Sequence, residues 1–142
     1  MGKEIDMRFD TKIAVVVLAD LPVWQKLNIV AFCSSGVAVS EPGLTGEPYE
    51  DASGNTYLSM FRQPVLVFQA DSGQIRKAFD RAMGANLRPA IFTRDLFGTN
   101  HDEANRAAVK VKAQPELDLV GFALRGERGA VDKIVKGLKL HE

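Results

Sequence analysis

Much that would announce a function is missing from this chain of 142 residues. It has one cysteine, Cys33, which can close no internal disulfide and suggests no metal cluster. No apolar run reaches the ~20 residues a membrane helix needs. The opening Met1-Gly2-Lys3-Glu4-Ile5-Asp6 is too charged and mixed for a secretory leader. The expectation is a cytoplasmic protein with no membrane partner. Neither sign of charge dominates: 18 basic side chains balance 18 acidic ones, which removes the electrostatic argument for nucleic acid. There is no His-x-x-x-His pair, no glycine-rich phosphate loop and no Gly-x-Ser-x-Gly elbow, so neither a metal nor a nucleotide cofactor is expected. With no repeat and no Pro- or Ser-rich linker, residues 1–142 read as one domain. Apolar residues at 46% and charged ones at 25% are those of a globular protein, which excludes disorder.

What is present is a clear alternation of elements. The valine-rich run KIAVVVLA at 12–19 suits a strand buried on both faces. Pro22 ends it, and Ile29, Phe32, Cys33, Gly36 and Val37 mark the apolar face of a helix over about 24–39. PVLVFQA at 64–70 reads as a second buried strand, and Asp71-Ser72-Gly73-Gln74 as a capping box opening a helix over 72–85. PAIFT at 89–93 is a third strand, a helix follows over about 101–113, and LDLVGFAL at 117–124 is a fourth strand with turn glycines Gly126 and Gly129 after it. Val131, Ile134, Val135 and Leu138 give a closing helix. Strand, helix and strand over 64–93 predict a right-handed parallel crossover. Four strands alternating with four helices predict a three-layer α/β/α sandwich. The stretch 41–58 breaks the rhythm: it is acidic, glycine- and proline-rich and lacks any basic residue, which predicts a surface excursion with a small hairpin at Ser53-Gly54-Asn55.

In sheets of this kind ligands gather beyond the carboxyl ends of strands. Asp20 follows the first strand and Asp95-x-x-x-Thr99 follows the third. Asp95 could hold or deprotonate a water that Thr99 positions. The same residues also suit a plain helix start, with Thr99 as the N-cap and Asp95 tying up the turn. Lys26, near the amino end of the first helix, could meet an anion, or could equally be a solvated lysine beside Trp24. Cys33 lies on an apolar face and reads as a buried thiol, while His141 reads as exposed. Lys133, Lys136 and Lys139 spread over a polar face, and Asp132 dilutes them, so they carry no strong nucleic-acid signal.

Four segments taken together resemble the type-2 peptidyl-tRNA hydrolase superfamily, and within it a bacterial branch of uncharacterised proteins known as domain of unknown function 2000. KIAVVVLADL is similar to that family's first strand, NIVAFCSSGVA to its first helix, RDLFGT to its Asp-Ala-Gly-Arg-Thr loop and VDKIVKGLKL to its closing helix. The resemblance implies a four-stranded mixed, mostly parallel sheet, a homodimer, and for true members hydrolysis of the ester that joins a peptide to tRNA. It places the catalytic pair on Asp95 and Thr99. It also shows departures: Asn28 stands where the family has its lysine, leaving Lys26 as the nearest substitute; Ser35 stands for its histidine and Gly98 for its arginine. Asp20, Asn28 and Ser35 would then line the substrate. Two expectations follow: an esterase acting on peptidyl-tRNA or a smaller ester through Asp95, Thr99 and Lys26, or a non-catalytic domain that binds a small ligand or a protein, with the 41–58 loop as lid. The apolar residues Tyr57, Leu58, Met60, Phe61 and Val65 suggest a dimer surface.

Overall fold

A computed structural model describes residues 9–142. The opening six residues discussed above lie outside the described part. Strand β1 (Thr11–Leu18) is the buried centre of the main sheet, as its run of valines requires. Helix α1 (Val23–Ala38) follows at once because Pro22 takes the N-cap position. A two-residue hairpin, β2 (Tyr49–Glu50) and β3 (Thr56–Tyr57), rises from the excursion. Then come β4 (Val65–Ala70), α2 (Ser72–Gly84), β5 (Ala90–Thr93), a 3₁₀ turn (Arg94–Gly98), α3 (Asp102–Lys110), β6 (Leu119–Glu127), α4 (Arg128–Ile134) and β7 (Lys139–Leu140). The capping box at Asp71 and Gln74 is formed, each side chain taking the other's backbone N–H.

The main sheet has five strands in the order β5-β6-β1-β4-β7, not the expected four. Only β1 and β4 pair in parallel; the β1–β6, β5–β6 and β4–β7 pairings are antiparallel. The expectation of a mostly parallel sheet therefore fails. The helix after β4 does return the chain to a strand running the same way, but that strand, β5, pairs with β6 at the far edge. The additional strand is β7. The positions Val131, Ile134, Val135 and Leu138 repeat with a helical period, but Gly137 at φ 88° ends α4's turn and redirects Lys139–Leu140 onto the edge of β4. Gly126 and Gly129 are likewise not turns: they lie in β6 and α4. Of α3's expected span only Asp102–Lys110 is helical, and its N-cap is His101, which accepts from the Ala104 N–H, and not Thr99.

Helices cover both faces. Ile29 of α1 packs against Gly121 of β6, and Phe79 of α2 meets Phe122 edge-on on the opposite face, where Gly126 receives Val131 of α4. A Cβ at Gly121 would overlap Ile29 Cγ2 and lie 3.2 Å from the Val16 carbonyl oxygen. The sheet thus needs glycine there so that α1 can approach.

The 41–58 excursion is organised as expected. Gly54 at φ 87° turns the hairpin, and the Asp51 carboxylate accepts from the Ser53 and Asn55 N–H groups, the Asn55 amide and the Tyr57 hydroxyl. The Tyr57 hydroxyl, first, and then the Asn55 groups hold the Asp51 carboxyl well down, at about 2. Tyr57, Leu58 and Met60 are exposed, with Leu58 at 87%, whereas Phe61 and Val65 pack partly on the core.

Two outcomes follow. Gly121→Ala should cost ~1–3 kcal/mol by overpacking, read from the urea midpoint; an unchanged midpoint would show that α1 can retreat freely. Because Asp51's folded pKa lies below the unfolded value near 3.8, its support for the hairpin is complete above that pH and is lost as pH falls towards 2. The Ser53 and Asn55 amide signals should titrate with a midpoint near 2 that rises in Tyr57→Phe; a wild-type midpoint near 3.8 would mean the four donors do not hold the carboxylate.

Candidate functional site

The parallel pair β1–β4 is where the fold opens a crevice. From the end of β1 the chain passes through Asp20 and Leu21 into α1 on one face; from the end of β4 it passes through Asp71 into α2 on the other. Adjacent parallel strands whose helices leave to opposite faces form a switch point, the usual place for a ligand in such sheets. The ladder ends with Ala19 N–H donating to the Ala70 carbonyl at 2.9 Å.

Lys26 stands at this point. Its Nζ donates to the Ala19 carbonyl at 3.2 Å and lies 3.0 Å from His141 Nε2. An ammonium has only donors, so the contact requires His141 Nε2 to be unprotonated and its proton to sit on Nδ1, which is 2.9 Å from the Glu142 oxygen. Two of the three ammonium protons are so engaged, and the third has no partner among the described residues. Beside the pair is a cavity of about 290 Å³ walled by Val17, Val23, Leu27, Val30 and Val67. A second, of about 270 Å³, lies along Ala19, Ala70, Asp71 and Lys139. His141, expected to be exposed, is half-buried, because its N–H donates to the Val67 carbonyl at 2.8 Å and continues the β7 pairing. Its presence in the site was hidden in the sequence by the helical spacing of the residues before it.

The other expected site residues lie elsewhere. Asp95 and Thr99 follow β5, at the edge of the sheet opposite β7, two to three strand spacings or roughly 10–14 Å from the β1–β4 pair. Asp95 pairs with Lys112 at 2.8 Å. That contact, first through its hydrogen bond and then through charge, raises the Lys112 pKa. The Thr99 hydroxyl donates to the Leu96 carbonyl at 3.0 Å and touches the Asn105 amide. Lys26 does not come to Asp95, and helical phase explains why. Trp24 meets the ring of Phe97, and Phe32 meets Phe92, so the stripe 24–28–32 faces β5 and the turn carrying Asp95. Asn28 lies on that stripe. Lys26 is about 200° round the axis from Trp24, on the β4–β7 side. Asp20 is exposed after β1, and Ser35, some 13 Å along α1 from Lys26, donates to the Phe32 carbonyl at 2.6 Å. Cys33 is 2% exposed, and burial pushes its thiol up to about 12, so the thiolate that chemistry would need is absent near neutral pH.

Among the described residues no cluster of three metal-ligating side chains occurs, and no helix is long and apolar enough to cross a membrane. Residues 11–142 match the family described as protein of unknown function DUF2000. The chain belongs to the DUF2000 family. A solved structure of a protein of unknown function from Agrobacterium tumefaciens strain C58 shares 41% identity, covers 95% of this chain and 100% of its own, and superposes with a TM-score of 0.92. No curated protein matches this DUF2000 chain.

Proposed function

We propose that this DUF2000 protein is a non-catalytic binding domain that takes a small carboxylate with an apolar body at the β1–β4 switch point. The supporting observation is the Lys26 ammonium, held by the Ala19 carbonyl and His141 with its third proton unpartnered among the described residues, beside an apolar cavity of about 290 Å³. That volume is at the small end for ligand sites, ~300–1,000 Å³. The peptidyl-tRNA hydrolase II-like kinship belongs to this proposal: KIAVVVLADL falls on β1 and its turn, NIVAFCSSGVA on α1 and RDLFGT on the turn after β5, each on the element that kinship requires. VDKIVKGLKL does not follow it, being divided between α4 and β7.

A second reading rests on the Asp95–Lys112 contact: an esterase acting on peptidyl-tRNA, with Asp95 and Thr99 at the reacting bond and Lys112 in place of the missing lysine. One set of measurements separates the two. Hexanoate at tenfold over its Kd should raise the unfolding temperature by roughly 4 °C, and Lys26→Met should abolish the rise. Peptide release from peptidyl-tRNA that disappears in Asp95→Asn, with no response to hexanoate, would replace the first reading by the second.

The exposed Tyr57, Leu58 and Met60 support pairing of two copies through the hairpin face. Sedimentation at micromolar concentration should give twice the 15.5 kDa chain mass, and Leu58→Glu should return it to that mass; a wild-type monomer would end the idea.

A further inference from the structure

A cavity of about 530 Å³ is at the other end of the sheet from the switch point. It lies beyond the carboxyl end of α1, where β6 and the segment entering β5 meet it. Arg125 of β6 sits opposite Ile13 in the ladder and so stands on the α1 face. Its Nη1 donates to Glu41 Oε2 at 2.9 Å, while its Nε–H is buried with no partner among the described residues. Arg88, on the rim, makes no ion pair among the described residues. Val37, Leu87 and Pro89 give the cavity an apolar wall.

A guanidinium offers its donors in a planar fork that matches the two oxygens of a carboxylate or phosphate. Here Nη1 is spent on Glu41, while the fork on the other side, Nε–H with the Nη2 N–H beside it, has no partner among the described residues. A buried N–H without an acceptor is unfavourable, so that fork is complete only when an acceptor reaches it. The carboxyl end of α1 points towards the same cavity and by itself would repel an anion. Two of its last four carbonyls are already occupied, however: Ser35 O accepts from Val39 N–H, and Val37 O from the Ser40 N–H and hydroxyl. The cavity is also much larger than an inorganic anion. We propose that it is a second binding site, for a small organic oxyanion (a phosphate or carboxylate head on a compact apolar body), and that Glu41 at the start of the excursion, held on the guanidinium's other side, is the carboxylate whose charge opposes this ligand.

Phenyl phosphate, benzoate and benzyl alcohol share one ring and differ in the head, so they test this directly when titrated into the full-length protein by amide NMR. One or both anions should shift the Gly36, Asn86 and Arg88 signals, and benzyl alcohol should not. Phosphate alone, or both anions, identifies the head. Arg125→Gln should abolish the shifts. Glu41→Gln should tighten binding about tenfold, because it removes the opposing carboxylate. This gain does not depend on whether the Arg125 variant folds. Lys26→Met should leave phenyl phosphate binding unchanged, which separates this site from the one at the switch point. Equal binding of benzyl alcohol, silence from all three probes at millimolar concentration, or unaltered affinity in Glu41→Gln would each overturn the proposal.

Discussion

The seating of Ile29 against Gly121 is the contact on which the placement of every candidate side chain depends. A helix lying on a sheet has one rotational freedom that matters, its phase about its own axis. A fully buried isoleucine fitted where the strand has no Cβ removes that freedom. Once it is gone, Trp24, Asn28 and Phe32 face the β5 edge and Lys26 faces β4 and β7. Packing in the core thus decides which carbonyl, which histidine and which carboxylate each surface group can reach.

Much of this fold was legible in the sequence because its signals are local. A run of valines, a proline after it, a capping box and the acidic excursion with its glycine turn each act within a few residues, and β1, α1, α2 and the hairpin form close to where they were expected. The strand order was not legible, since it is set by pairings between distant segments: nothing near Ala90–Thr93 says that β5 will join β6 rather than β4. The helical spacing through Leu138 hid β7, because a two-residue strand is too short to show a period of its own.

The candidate site divides along the same line. Lys26 reaches the end of β1, to which it is close in sequence, whereas Asp20, the residue expected beyond that strand, is exposed. His141 was missed because 115 residues separate it from Lys26. The Asp95-x-x-x-Thr99 spacing is present, but the Thr99 hydroxyl turns onto the Leu96 carbonyl of its own turn, and Asp95 onto Lys112, a partner from beyond α3 that the motif cannot report. Membership of a family shows descent of the scaffold; which groups converge must be read from the geometry.

The excursion between α1 and β4 has its two ends clasped together. Gly46 N–H donates to the Met60 carbonyl and Arg62 N–H to the Leu44 carbonyl, both at 3.0 Å, with Thr45 bridged to Phe61. What lies beyond the clasp is carried like a bead on a closed ring, its internal bonds tied back through Asp51 and its length invisible to the strands beneath. Evolution, or an engineer grafting a fluorescent tag, can rewrite that bead without consulting the sheet.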